Sequence, residues 1–169
     1  ICMKHKRQTS QHAWKIMRKN FPMIVVDGIL IEKNRGELWV CFVKRVKNPY
    51  SGWWVLPGGF VEKNERLEKA VVREFREETG LRTKIVGLLG IYDDPKRDPR
   101  GHNIGAAYML KRTGGRIRTS DETSDVRFFP VNKLPKNMGF DHRQIVRDAL
   151  KLLRKIKLSE RDSAEPFSR

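Results

Sequence analysis

Residues 59–81 read GFVEKNERLEKAVVREFREETGL, and the spacing inside that stretch predicts a helix over Glu65–Thr79. Leu67, Val71 and Phe75 recur at i, i+4 and i+8 with Ala70 beside them, which makes one side of the helix apolar. Asn64 is placed to cap its start and Gly80 to end it. Another face carries Glu74, Glu77 and Glu78, at i, i+3 and i+4. Like charges at that spacing destabilise an isolated helix by about 0.2–0.5 kcal/mol per pair. A helix has no need of such a cluster, least of all in a chain whose formal net charge is +16. A hard cation with oxygen ligands turns the repulsion into binding, and Mg²⁺ typically takes a few carboxylates together with waters and substrate phosphates. Arg73 lies one turn before Glu77 and can hold a carboxylate in a forked ion pair. The plainer alternative is a solvated acidic face with Arg73 as a routine surface partner. Three glutamates alone favour that alternative, so the residues around them decide.

Outward from this helix the chain alternates strand and turn signals. Trp53–Glu62 (WWVLPGGFVE) reads as a strand, a Pro-Gly-Gly turn and a short continuation. Before it, Met23–Glu32 (MIVVDGILIE) and Glu37–Val46 (ELWVCFVKRV) read as a hairpin turning at Asn34-Arg-Gly36. Downstream, Thr83–Tyr92 and His102–Lys111 read as strands around the loop DDPKRDPRG, Gly114-Gly115 as a turn and Val126–Val131 as a last strand. Ile145–Ile156 is an amphipathic helix, and a short helix is expected around Gln11–Lys19 with Trp14 and Met17 on one side. The expected organisation is a basic N-terminal extension over 1–20, one compact domain over 21–157 and a polar, frayed tail over 158–169. Strands on both sides of one central helix, with a second helix at the end, give an α+β class: an α/β/α layered domain on a mixed sheet.

The chain has 169 residues, which suits one domain, and its 38% hydrophobic content can build a core. No apolar run approaches the ~18–20 residues that span a bilayer. The basic first twenty residues lack the apolar segment and cleavage site of a secretory signal. Cys2 and Cys41 form neither a disulfide framework nor a CxxC pair, so a reducing cytoplasm is the expected compartment. The excess of 36 Lys and Arg over 20 Asp and Glu attracts polyanions, whether nucleotides, nucleic acid or anionic lipid. Arg143, Arg147, Lys151 and Lys155 recur at i+4 steps along the last helix, as its solvated face or as a surface for RNA. No recognised nucleic-acid-binding motif accompanies them.

The glutamate stretch resembles the Nudix box, whose pattern is G-x5-E-x7-R-E-U-x-E-E-x-G-U, with U a bulky aliphatic residue. Gly59, Glu65, Arg73-Glu74, Glu77-Glu78, Gly80 and Leu81 fill the fixed positions, and Phe75 stands at the first U. The resemblance implies a catalytic loop–helix–loop that binds metal and diphosphate. Glu74, Glu77 and Glu78 would ligate the metal, joined by the carbonyl of Gly58, and Arg73 would orient the carboxylates. Glu65 is either an outer ligand or a favourable charge at a helix start. The implied cofactor is Mg²⁺, with Mn²⁺ as the alternative.

A carboxylate within reach of the attacking water must take its proton. Family members draw that base from the box or from a later loop. Here the loop Ser120–Asp125 offers Asp121, Glu122 and Asp125, and the resemblance implies Glu122, since several relatives carry an extra metal ligand at that spacing from the last strand; an acidic polar turn without that role is the alternative. The stretches NPYSGWWVLPGGFVE, DPRGH and FDHRQIVRDAL look like prokaryotic ADP-ribose pyrophosphatase-like members. That implies ADP-ribose cleaved to AMP and ribose 5-phosphate. The alternatives are a nucleoside triphosphate pyrophosphatase, acting on normal or oxidised substrates, and a non-catalytic protein binding ADP-ribose or RNA.

Arg97 and Arg100 are candidates to hold phosphate or ribose. Trp54 is a candidate to stack on the base. Alternation puts Trp53 and Trp54 on opposite faces, so at most one does so, and core packing is the competing reading for each. Asp141 is expected to cap the last helix, and His142 receives no catalytic role. By resemblance the expected partners are a nucleotide-derived substrate and a second copy of the chain in a homodimer.

Overall fold

The computed structural model describes residues 11–162. The first ten residues of the expected extension and the last seven of the expected tail lie outside the described residues. The elements in chain order are α1 (Gln11–Asn20), β1 (Met23–Asn34), β2 (Glu37–Arg45), β3 (Trp54–Val55), β4 (Gly58–Phe60), α2 (Leu67–Thr79), β5 (Leu81–Tyr92), β6 (Asn103–Gly115), β7 (Thr123–Pro130) and α3 (His142–Asp162).

β1 organises the sheet. Its first residues, Met23–Leu30, run parallel to β6 (Asn103–Leu110). On the other side Val25–Asp27 pair with β4, and further along Ile31–Asn34 pair with β2. The path β3-β2-β1-β6-β5 is completed by β7 on β2, giving a mixed seven-stranded sheet. The hairpin turn is Arg35-Gly36, both with positive φ, the geometry whose twist suits two-residue hairpins.

Strand alternation divides the core between two helices. Val26, Leu30, Cys41 and Val43 face Ala70, Val71 and Phe75 of α2. Ile29, Val40, Phe42 and Leu56 face Ile145, Val146 and Ala149 of α3. The layers are therefore α2, sheet, α3, as the α/β/α expectation required. Phe75 is fully buried, and burial of such a ring stabilises by about 1.5–3 kcal/mol. It reaches the sheet because Gly28 has no side chain, for a Cβ there would lie 2.7 Å from the Phe75 ring.

Several boundaries differ from the sequence reading. α2 begins at Leu67, with Arg66 at its cap position and no side-chain cap bond, while Asn64 sits at φ 66°. The expected Asn64 cap is corrected: its backbone turns left-handed before the helix starts. Gly80 does end the helix in the left-handed region, its N–H donating to Arg76 O. Gly114 and Gly115 are the last paired residues of β6 and not a turn, matched to Arg82 and Leu81. α3 is longer than expected at both ends, so a boundary at 157 falls inside it. In α1, Trp14 and Arg18 turn toward Phe60, whereas Met17 is exposed.

Candidate active site

The turn between β3 and β4 brings Gly58 and Gly59 against the glutamate face of α2. Both positions need glycine. A Cβ on Gly58 would lie 2.1 Å from the Val26 carbonyl oxygen, and one on Gly59 2.6 Å from the Glu74 carboxylate carbon. The Gly58 N–H donates to Glu78 Oε2 at 3.0 Å. Glu78 is only 6% exposed. Burial pushes its carboxyl up to about 8; the charges of Glu74 and Glu122 add to the effect, and the Gly58 N–H and Arg45 oppose it. Glu74 is also raised, by burial first, then by Glu77 and Glu122 against the opposing Arg73.

Arg73 is the hub of the cluster. Its Nε and Nη2 hold the two oxygens of Glu65 at 2.7 and 2.8 Å, a bidentate pair. Its Nη1 reaches Glu74 at 2.6 Å and Glu77 at 3.3 Å, and Nη2 also donates to the Phe60 carbonyl oxygen. Hydrogen bonding to Glu65 is the largest reason its pKa lies above the ordinary value. Glu65 in turn accepts from the Glu62 N–H at 3.0 Å. Glu65 therefore fastens the loop before α2 to the helix through Arg73, which gives it a role that sequence alone left open.

Glu122 comes from the loop before β7. The β2–β7 register places Arg45 opposite Thr123, and the Val46 N–H donates to the Glu122 carbonyl oxygen at 3.0 Å. Its carboxylate is paired with Lys47 Nζ at 3.0 Å and is about half exposed. It is close enough to raise both Glu74 and Glu78. The charge of Arg45 also acts on Glu78, against the effect of Glu122. Arg45 was missed by sequence reasoning, because only the strand register brings it to the box.

The three residues expected to bind substrate are placed differently from one another. Trp54 is 7% exposed and packs edge-on against Phe129 in the core, so the expectation that it stacks on a base is corrected. Trp53, 40% exposed, lies on the other face, as alternation requires, and packs at a tilt against Tyr50. Arg97 is buried and holds Asp141 by two bonds of 2.8 Å and Asp27 by one of 3.2 Å, so it is not available for phosphate or ribose. His142 completes that network: its Nδ1 accepts the Leu56 N–H at 2.8 Å and its Nε2 lies 3.3 Å from Asp27. Although Asp27 is buried, His142 and then Arg97 hold its carboxyl below the ordinary range. Asp141 starts α3 through its carbonyl oxygen, while its carboxylate serves Arg97 and not the expected cap. Arg100 is partly exposed, tied to Asp98 and stacked over Phe60 and Phe140.

Among the described residues no three carboxylate, imidazole or thiol side chains form a ready-made cage for a metal. The donor set still fits a hard cation. It consists of oxygens only, and burial raises two of its carboxyls, Glu74 despite its pair with Arg73 and Glu78 despite the charge of Arg45. Mg²⁺ binds through one or two carboxylates completed by waters and phosphates, which requires no closed cage.

The layered fold, the glycine turn and the carboxylate helix define a class. The chain belongs to the NUDIX domain family, whose model matches residues 22–149. It is a Nudix-type pyrophosphatase. It is 45% identical over 130 residues to the ADP-ribose pyrophosphatase of Methanocaldococcus jannaschii, covering 77% of this chain and 74% of that protein. It is 28% identical over 134 residues to the ADPR responsive transcriptional repressor NtrR of Acinetobacter baylyi, but spans only 53% of that protein's length. The NUDIX domain of Shewanella oneidensis NrtR, solved with ADP ribose, superposes with a TM-score of 0.71 at 29% identity, over 78% of this chain and 88% of that one. Among the described residues no helix is long and apolar enough to cross a membrane.

Proposed function

We propose that the protein hydrolyses the diphosphate linkage of a nucleoside diphosphate derivative, ADP-ribose in particular, giving AMP and ribose 5-phosphate in a reaction that requires Mg²⁺ or Mn²⁺. The observation that carries the reading is the buried Glu78 beside the half-buried Glu74, pressed against Gly58 and Gly59, with both carboxyls raised by burial. The likeness to the ADP-ribose pyrophosphatase supports the choice of substrate.

In this reading Glu74, Glu77, Glu78 and the Gly58 carbonyl hold the cation. The chemistry a bound divalent cation supplies is neutralisation of diphosphate charge and a lowered pKa for an attacking water. Arg73 fixes the carboxylates it touches, so their oxygens keep one orientation. Glu122 takes the proton of the water; its carboxylate sits on a loop, about half exposed and paired with Lys47, within reach of solvent.

A second reading is favoured by the likeness to the ADPR responsive repressor: the chain binds ADP-ribose without cleaving it. The two are separated by incubating the protein with ADP-ribose, NADH, diadenosine polyphosphates and normal and oxidised nucleoside triphosphates, with Mg²⁺ or with chelator. Metal-dependent release of AMP, fastest from ADP-ribose, is the expected result. Release of pyrophosphate from a triphosphate would move the protein to the nucleotide-pool class. Binding of ADP-ribose with no turnover would establish the sensor.

A further inference from the structure

A groove of about 830 Å³ lies between α1 and the active-site turn, within the usual size range of small-molecule sites. It is lined by Trp14, Lys15, Arg18 and Lys19 from α1, and by Phe60, Arg100 and Gly101. Three of its features require explanation. First, its side chains alternate cation and ring. Arg18 lies 5.5 Å from the Trp14 ring centroid and 5.0 Å from that of Phe60. Arg100 lies 5.5 Å from Phe60 and 5.2 Å from Phe140, and Arg45 5.4 Å from Phe140. Second, Arg18 Nε is shielded from solvent and has no hydrogen-bond partner. Third, burial and then the charge of Arg100 hold Arg18 below its ordinary pKa, against the opposing charge of Asp98, which is itself paired with Arg100.

The groove adjoins the site. Phe60 follows Gly59 directly, and its carbonyl oxygen accepts from Arg73, the hub of the carboxylates. The same cation–ring series ends at Arg45, whose charge reaches Glu78. α1 itself precedes the residues matched by the family model.

We propose that this groove binds the nucleoside monophosphate end of the substrate, the base against Trp14 and Phe60 and the phosphate on Arg18 and Arg100, so that α1 is part of the binding site. Base-on-ring stacking and forked phosphate contacts are the interactions these side chain types provide. An anion there offsets the two like charges of Arg18 and Arg100. The proposal rests on the reading of the chain as a nucleoside diphosphate hydrolase, and its test must stand apart from turnover.

The experiment is equilibrium dialysis of AMP against the full chain in chelator, for wild type, Arg18→Gln, Trp14→Phe and Arg147→Gln. Arg147 lies exposed on α3 and loses the same charge without touching the groove. AMP is expected to bind wild type and Arg147→Gln alike, and to bind Arg18→Gln at least about tenfold more weakly, the loss typical of a charge-assisted contact. Trp14→Phe keeps a ring against Phe60 and is expected to weaken AMP several-fold while the melting temperature holds, which separates stacking from loss of the α1 fold. No AMP binding by wild type overturns the proposal. So does equal binding by wild type and Arg18→Gln, or equal weakening by Arg147→Gln, which would mark a diffuse field. AMP binding that depends on Arg18 in a protein that does not cleave ADP-ribose would uphold the groove and refute the hydrolase reading.

Discussion

Glu78→Gln is expected to stabilise the metal-free protein and to remove most of the metal-dependent activity. The buried carboxyl of Glu78 has an ordinary value of 4.5 and stands at about 8 in the fold. Between those values the folded state holds a proton that the unfolded chain has released. Stability from this group is therefore greatest below pH 4.5, declines as pH rises by about 1.4 kcal/mol per unit, and levels off above 8. By pH 7 the accumulated loss is roughly 3 kcal/mol as an upper bound. Glutamine has the same shape, accepts the Gly58 N–H with its own carbonyl, and carries no charge at any pH. In chelator at pH 7 the variant should gain about 1–3 kcal/mol, which for a chain of this size is a rise of roughly 2–12 °C in melting temperature. Its advantage should widen toward pH 8 and vanish near pH 4.5. Addition of Mg²⁺ should reverse the order, raising the melting temperature of wild type more than that of the variant, while the variant loses most of its turnover. The assay is a set of thermal melts from pH 4.5 to 8.5, with chelator and with Mg²⁺, paired with AMP release from ADP-ribose. A variant that melts lower than wild type in chelator at pH 7, or one that turns over near the normal rate at saturating Mg²⁺, would refute the reasoning.

Three further outcomes are expected. Gly59→Ala places a Cβ 2.6 Å from the Glu74 carboxylate carbon and should lower apparent Mg²⁺ affinity by at least about tenfold, read from the metal dependence of the rate. Arg97→Met leaves Asp27 and Asp141 without their guanidinium and should cost about 3–5 kcal/mol, a fall of roughly 6–20 °C in melting temperature; a smaller fall with weaker substrate binding would return Arg97 to the substrate. Glu122→Gln breaks only an exposed pair with Lys47, worth less than about 1 kcal/mol, so its melting temperature should hold while kcat drops about 10²-fold or more; an unchanged kcat would move the base into the box.

What could be read from the sequence follows the range of each interaction. The sheet and the two layer-forming helices were legible because periods of two and 3.6 are local. The glutamates of α2, with Arg73, were legible because one helical turn brings them together without help from the rest of the chain. The misreadings concern residues whose neighbours are distant in sequence. Alternation separated Trp53 from Trp54 correctly, but it does not say which face is inward, and the α3 side took Trp54. Arg97 looked like a free cation in a loop because its partners Asp27 and Asp141 lie 70 and 44 positions away. Arg45 and Phe140 reach the site's surroundings only through the β2–β7 register and the start of α3. Asn64 has the right side chain for a cap but the wrong φ, which no local pattern fixed.

The network around Asp27 also bears on how the active-site turn is held in place. Asp27 is paired in register with Gly58, so the strand that seats the active-site turn is itself anchored by Arg97, Asp141 and His142. A chain still being synthesised, and not yet extended to residue 142, carries Asp27 without its imidazole and Arg97 without its forked carboxylate. The two ions are then left with each other as their remaining partner. The glutamate helix is complete long before that point, while the turn opposite it also draws on contacts from the start of the last helix. The turn that faces the glutamates thus leans on two residues at the start of the last helix, more than sixty positions beyond the glutamates themselves.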